Sequence, residues 1–558
     1  MVSNSWHSVR ETFTRDGSLN IAEVALDRQI AAGHGDDIAI RFLRKTGGVE
    51  SISYADLTSA SASFASALVA HDVARGGRVF SLLGRVPELY VAALGTLRRG
   101  AVFTPLFSAF GPEPIRTRME IGRADVLVTT ASLFRRKVAS WAEQLNNLRL
   151  IIIIDGEPQD APAGTLYYST FIQAGAPDYP AVATAPEDLA LIHFTSGTTG
   201  KPKGVMHVHE AVVGHHVSAA AALDMRQGDR YWCTADPGWV TGTSYGIIAP
   251  LTHGVSMLVD EAEFDPRRWY QVLADERVNV WYTAPTAIRM LMKAGLDLTR
   301  EHQYPDLRFM ASVGEPLNPS AVLWGQEAFG QPFHDNWWQT ETGCIMIANC
   351  PGQAVKPGAM GKALPGVEAA VAAQNDPGKQ LDIDQVGELV LRKGWPSMMR
   401  GYVDEMERYE RCFSGDWYQT GDLVKRDADG YFWFVSRADD VIQSAGHLIS
   451  PFEVESTLLA HAAVAEAAVI GLPDDTMGEV VAAYVAVNPG YQWDETLQRD
   501  VMAHARKRLG PSVAPRSIEC LDELPRTRSG KIMRRLVKAR VLGLEEGDTS
   551  TLERVEHD

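Results

Sequence analysis

The run TSGTTGKPKG, Thr195–Gly204, has the composition of a polyphosphate clamp. Its glycines let backbone N–H groups approach an anion, and its hydroxyls and lysines add further donors. It is not a Walker loop: Thr195 stands where that pattern needs its first glycine, and Pro202 follows the lysine where Ser or Thr is needed. His207, His209, His215 and His216 follow closely, but Val213 holds the place that the second histidine of an HExxH zinc helix would take, so they read as packing residues. An apolar segment, Leu189–Phe194, leads into the loop and an Ala/Val/His stretch follows it.

The elements that must carry such a loop are legible as parallel βαβ units. Val79–Leu83 reads as a strand, the stretch from Pro87 to Gly100 as a helix, and Ala101–Leu106 as the next strand. The rhythm repeats with Val126–Thr129, a helix over Leu133–Leu145, and Leu150–Ile154, whose four consecutive isoleucines suit a strand buried on both faces. Asp265 and Pro266 predict the cap and first turn of a helix reaching about Glu276, followed by the apolar run Val278–Tyr282. After Asp422 the pattern changes. Lys425–Val435 predicts a hairpin around Asp429-Gly430, and Ser450–Glu453 predicts a capping box. Strands follow near Val464–Ile470 and Val480–Val487. These readings give an α/β fold: a large N-terminal domain of layered sheets and helices, residues 1–438, and a small α+β C-terminal domain, residues 439–558. The acidic tail after Leu544 reads as loosely ordered.

At 558 residues the chain exceeds one ordinary core, since a domain takes roughly 150 residues. It is 45% hydrophobic and 22% charged, with a formal charge of −17. That charge disfavours a general affinity for nucleic acid or an anionic membrane, so an anionic substrate must meet a local patch. No apolar h-region opens the chain, and no run approaches the ~18 apolar residues of a membrane span. A cytoplasmic protein is expected. The five cysteines are odd in number and scattered, which indicates neither a disulfide framework nor a zinc site.

Four segments in order, TSGTTGKPKG, WWQTETG (Trp337–Gly343), YQTGD (Tyr418–Asp422) with Arg437 beyond it, and LPRTRSGK (Leu524–Lys531), make the chain resemble the adenylate-forming superfamily. That superfamily contains acyl-CoA synthetases, firefly luciferases and peptide-synthetase adenylation domains. With GWVTGTSYG (Gly238–Gly246) and SVGEPLNP (Ser312–Pro319), the chain looks more narrowly like the AMP-forming acetyl-CoA synthetases. The likeness covers nearly the whole length. It implies ATP and CoA as co-substrates, Mg²⁺ as the metal, and a small carboxylic acid, acetate, converted through an acyl adenylate.

The same resemblance assigns residues. Lys531 is the expected cation for charge building at the α-phosphorus. Thr195, Ser196, Gly197, Thr198, Thr199, Gly200 and Lys203 are expected around the β and γ phosphates. Glu341 is the expected Mg²⁺ contact, because a hard cation on phosphate oxygens needs one or two protein carboxylates. Asp422, with Arg437, suits a ribose diol, since a carboxylate can accept two hydrogen bonds. Gly314, Glu315, Pro316, Asp335, Asn336, Trp337, Gln339 and Thr340 border the nucleotide. Trp338 walls the acyl pocket with Val240, Thr241, Gly242 and Val313; exclusion by a rigid indole can select acetate, where one CH₂ at about 0.8 kcal/mol cannot. Ala445, Gly446, His447 and Arg506 are expected toward CoA, and Asp439 at the hinge of a mobile, rotating C-terminal domain. Two positions depart from the family: Asn336 stands where threonine is more usual, and Leu448 where an arginine is usual, which puts one phosphate contact in doubt.

Alternatives are a short-chain synthetase preferring propionate and an adenylation enzyme that charges a carrier protein, although no Gly-x-x-Ser-Leu carrier segment follows. A nucleotide-binding sensor without catalysis is a further class. A homo-oligomer and a lysine acetyltransferase or deacetylase acting on Lys531 are partners that the resemblance suggests.

Overall fold

The computed structural model describes residues 5–552 apart from 157–161, 196–201, 375, 445–446, 475, 528–530, 548 and 550–551, with the side chains of 447 and 448 also left out. Two large sheets carry most of the chain. The first runs in the order Gly401–Tyr402, Lys203–Val208, Leu189–Thr195, Val102–Phe107, Arg78–Leu83, Val126–Thr129, Leu150–Ile153, Leu166–Tyr167. It is parallel except where Lys203–Val208 folds back on Leu189–Thr195 and Gly401–Tyr402 pairs onto it. The second sheet holds, as consecutive parallel neighbours, Arg230–Cys233, Val280–Thr283, Phe309–Ser312 and His334–Trp337.

Helix Pro87–Arg98 lies between them, and nearly every residue from Leu89 to Arg98 is buried. Its core cluster draws Val79, Phe103 and Val126 from the first sheet and Ile40, Phe42 and Met257 from the second. A helix apolar all round needs such a two-sided burial. Ile152 and Ile153 are fully buried, as the isoleucine run requires.

An antiparallel sheet follows, in which Gly387–Arg392 pairs with Trp417–Arg426 and the latter with Phe432–Arg437, closing the hairpin that the Asp429-Gly430 turn predicts. The last sheet is built from Ile442–Ser444, His447–Ile449, Val464–Asp474, Gly478–Val487 and Ser517–Cys520. It has its own cluster, including Val469, Val485 and Ile518, against helices Pro451–Leu459 and Glu495–Leu509. Asn318 Nδ2 donates to Ser456 Oγ at 2.7 Å, tying this sheet's first helix to the second large sheet.

Three local expectations change. The helix predicted over 133–145 ends at Lys137, because buried Trp141 turns back and its Nε1 donates to the Lys137 carbonyl at 2.8 Å; only a short 3₁₀ turn, Ala142–Gln144, follows. Ser450 accepts from Glu453 N at 3.1 Å, but its hydroxyl is turned to the Val435 carbonyl, and the reciprocal half of the capping box is not formed among the described residues. The reciprocal box does form at Ser53–Asp56. In the acidic tail, Glu546 is held by Arg540 at 2.9 Å and through its carbonyl by Arg535.

Candidate active site

The antiparallel fold-back of Lys203–Val208 on Leu189–Thr195 places Thr195 opposite Lys203 at the mouth of the phosphate loop. Ser196, Gly197, Thr198, Thr199 and Gly200 lie outside the described residues. The Thr195 hydroxyl is buried without a protein partner among them. Burial holds the Lys203 ammonium below its ordinary pKa, and its Nζ stands over the Tyr402 ring, 5.3 Å from the centroid.

Beside it, strand His334–Trp337 runs into the acidic turn. Gln339 N donates to Thr342 Oγ1 at 3.0 Å, and Thr342 N returns to the Gln339 carbonyl at 3.1 Å. Gly343 closes the turn at φ +71°, where a Cβ would overlap the Ser397 carbonyl. The carbonyls of this turn are taken up from several elements. His207 Nε2 meets Thr340 O at 2.8 Å, His215 Nε2 meets Gly343 O at 3.0 Å, and both Trp395 Nε1 and Ser397 Oγ donate to Thr342 O at 2.8 Å. Burial drives His207 and His215 down to about 4 and about 3, so both are neutral near pH 7. The histidines after the loop therefore brace the acidic turn. His209 and His216 serve elsewhere, accepting from Ile21 N at 3.1 Å and meeting Thr252 Oγ1 at 2.9 Å.

Glu341 projects from the turn with Oε1 accepting from Tyr402 Oη at 3.1 Å, and Met399 N donates to its carbonyl at 3.0 Å. Its other carboxylate oxygen has no hydrogen bond among the described residues. One ring thus joins the lysine of the phosphate loop to the carboxylate of the acidic turn. Segment Arg400–Val403 splices the two, Tyr402 being paired with Val205.

Asp422 lies almost wholly buried where the antiparallel sheet reaches the turn. Oδ2 accepts from Trp337 Nε1 at 2.9 Å and Gln339 Nε2 at 3.0 Å, and Oδ1 accepts from Arg437 Nη1 at 3.0 Å. Tyr418 Oη in turn donates to Gln339 Oε1 at 2.9 Å. Burial raises the Asp422 pKa against the pull of Arg437, and Lys531 is near enough to lower it further. Lys531 itself is exposed, its N–H held by Thr527 Oγ1 at 3.0 Å. Arg437 Nε reaches Asp439 at 3.4 Å. Behind Lys531, Arg534 pairs with buried Glu455.

At the opposite border Gly314 is exposed at φ +102°, and Pro316 is half-buried. Glu315 is occupied by Arg289 Nη2 at 3.1 Å and Thr286 Oγ1 at 2.7 Å. Asp335 accepts from Leu317 N at 3.1 Å and Asn336 N at 3.0 Å, and burial pushes it up to about 8. Trp338 is half-buried, edge-on to Tyr245 at 5.1 Å, in one cluster with buried Val313. Val240 and Thr241, also half-buried, start the short helix that continues to Tyr245, and a Cβ at Gly242 would strike the Asp236 carbonyl. Ala445 and Gly446 lie outside the described residues, as does the His447 side chain. Arg506 is exposed in the last turn of Glu495–Leu509, which packs on Pro451–Leu459 and Ser517–Cys520.

Sequence reasoning did not single out Tyr282, Tyr402, Trp395 or Ser397, and it named Tyr418 only as the first residue of YQTGD. Tyr282 and Tyr402 are brought there by strand register, and Trp395 and Ser397 by the loop between Arg392 and Gly401.

These features coincide with a family. The chain belongs to the AMP-binding enzymes: a model described as AMP-binding enzyme matches residues 27–403, and one described as AMP-binding enzyme C-terminal domain matches 453–531. It is similar to the acetyl-coenzyme A synthetase of Bacillus subtilis, 41% identical over 96% of this chain and 93% of that one. It is also similar to that of Methanothrix thermoacetophila, 36% identical over 98% and 87% respectively. Among solved structures, an acyl-CoA synthetase of Brucella canis matches with a TM-score of 0.75 and 33% identity, covering 97% of this chain and 98% of that one. An anthranilate CoA ligase in complex with anthranoyl-AMP matches at 0.84 and 27%, covering 95% and 98%.

Proposed function

We propose that the chain is an AMP-forming acetate:CoA ligase, using ATP and CoA as co-substrates. The observation that carries this reading is the single turn 337–343, which joins a carboxylate with one oxygen not hydrogen-bonded among the described residues, a grip on Asp422 and an indole beside Val313. It is supported by the similarity to acetyl-coenzyme A synthetases over nearly the full length.

In the first step a carboxylate oxygen of acetate attacks the α-phosphorus of ATP and the bond to the bridging oxygen breaks, releasing pyrophosphate. Lys531 approaches the developing charge from the C-terminal side, while Lys203 and the Thr195 hydroxyl receive the leaving phosphates. A buried hydroxyl without a partner among the described residues suits that role. Glu341, with one oxygen fixed by Tyr402 and the other without a hydrogen bond among the described residues, would hold Mg²⁺, which when bound neutralises phosphate charge; a single protein carboxylate suits a metal carried on phosphates. Asp422 takes the ribose hydroxyls through its remaining lone pairs, and Gly314, Glu315, Pro316, Asp335, Asn336 and Thr340 border the base.

In the second step the CoA sulfur attacks the acetyl carbon, the bond to AMP breaks, and the thiol proton leaves with the departing phosphate or to water. Residues 439–558 rotate about Asp439 between the steps, bringing the loop Ala445–His447 toward the adenylate and Arg506 toward CoA. Trp338, Val240, Thr241, Gly242 and Val313 limit the acid to two carbons, with propionate weakly tolerated. The protein is cytoplasmic in this reading; no helix among the described residues is long and apolar enough to cross a membrane. Exposed Lys531 is open to acetylation, which mass spectrometry of the native protein would detect.

Pyrophosphate release measured over two- to eight-carbon acids, with and without CoA, tests the whole reading. Release that depends on acetate and thioester formed only with CoA are expected. Full turnover onto a carrier protein in place of CoA would overturn it.

A further inference from the structure

The acyl wall is held by groups outside it. Strand Val280–Thr283 lies beside Phe309–Ser312, and that beside His334–Trp337, with Tyr282 opposite Ala311 and Ser312 opposite Asp335. Because side chains alternate along a strand, Tyr282, Val313 and Asn336 share one face. The small Ala311 leaves the Tyr282 hydroxyl room to cross it. That hydroxyl donates to Asn336 Oδ1 at 3.0 Å and accepts from Trp338 Nε1 at 3.3 Å. Asn336 is locked in turn, its Nδ2 donating to the Ser312 carbonyl at 2.9 Å. A continuous chain therefore runs from main-chain carbonyl to amide, phenol and indole. Tyr282 is fully buried and Asn336 nearly so.

The indole is fixed on a second side by Tyr245, whose hydroxyl accepts from Ile345 N at 2.7 Å and meets Ser218 Oγ at 2.6 Å. An indole excludes a longer acid only while it cannot swing aside, and its one polar atom is the handle that sets its rotation. We infer that Tyr282 and Asn336 are positioning residues for acid size: they hold the Trp338 indole in the rotamer that closes the pocket behind two carbons. This rests on the reading of Trp338 as the acyl wall.

The inference differs from a general structural role in what it moves. Loss of stability lowers kcat/KM for every acid in proportion, whereas a released indole admits the longer acid preferentially. In the full-length enzyme with ATP, Mg²⁺ and CoA, kcat/KM is measured for acetate, propionate and butyrate in the parent, Tyr282→Phe, Asn336→Leu and Trp338→Gly. Tyr282→Phe is expected to raise the propionate-to-acetate ratio by roughly 5–30-fold, because it removes both hydrogen bonds at once. Asn336→Leu, which leaves the phenol but removes its acceptor, is expected to raise it by roughly 2–5-fold, and it carries the test should Tyr282→Phe fail to fold. If Trp338→Gly shifts the profile while both other variants stay within about twofold of the parent ratio, the positioning role is overturned and the wall stands. If Trp338→Gly also leaves the ratio unchanged, the wall itself is lost, and the inference with it.

Discussion

The acidic turn and the Lys531 segment, assigned to the same chemistry in the proposed reading, are built in opposite ways. Around 337–343 the Thr340, Glu341, Thr342 and Gly343 carbonyls and the Gln339 and Glu341 side chains are held from distant parts of the chain: His207, His215, Trp395, Ser397, Met399, Tyr402 and Tyr418. Lys531 stands exposed, anchored chiefly through its own backbone, with its N–H on Thr527 Oγ1 and its carbonyl accepting from Thr527 N at 2.8 Å. Groups that must already be aimed when charge develops gain from such bracing, since they need not reorganise. A group that must leave after one step gains from having few ties.

Breaking the sparse side has the largest expected effect. Lys531→Ala should lower acetate-dependent pyrophosphate exchange by at least about 10²-fold, the scale of one lost charge-stabilising donor, while thioester formation from supplied acetyl adenylate survives. Equal loss of both activities would count against the division of labour. Asp439→Pro should retain exchange and lose thioester formation; loss of exchange as well would remove Asp439 as the hinge.

The braced side answers more gradually. Glu341→Gln should raise the Mg²⁺ concentration for half-maximal exchange by roughly tenfold, and Tyr402→Phe by a few-fold, since the first removes the charge and the second only the hydrogen bond that aims it. A Tyr402→Phe enzyme with an unshifted Mg²⁺ requirement would confine Tyr402 to packing. The smallest effect is on stability. His207 and His215 are neutral when folded, with pKa values of about 4 and about 3 against the ordinary 6.5. Unfolding thus takes up protons below pH 6.5, so stability present above that pH is lost as pH falls toward 4. Calorimetry from pH 7.5 to 5 should show a falling Tm, and His207→Asn, which keeps a neutral donor, should flatten part of the slope.

What could be read in advance follows from how locally it is encoded. The isoleucine strand and the Asp429-Gly430 hairpin are contiguous in sequence, and their composition states their conformation. The helix expected over 133–145 fails because Trp141, legible as one more apolar residue, uses its N–H against the helix. Tyr402 and Tyr282 were illegible for a different reason. Their meaning lies in strand pairing, Tyr402 with Val205 and Tyr282 beside the strand of Asn336, which a lone tyrosine does not announce. Likewise the spacing of the histidines after the loop spoke against a zinc site but did not show what they do, and their distances show two of them spent on main-chain carbonyls.

Arg437 holds buried Asp422 with one nitrogen and half-exposed Asp439 with another. In the proposed rotation it acts as a detent: the inner grip keeps the arginine beside Asp422, and the outer one resists turning of the link. An exposed pair of this kind contributes ~0.2–1 kcal/mol, so releasing it changes the population of the closed arrangement by less than about tenfold. In that proposal the switch between half-reactions is cheap to trip at this point, and rising salt, which weakens such a pair, should ease it further.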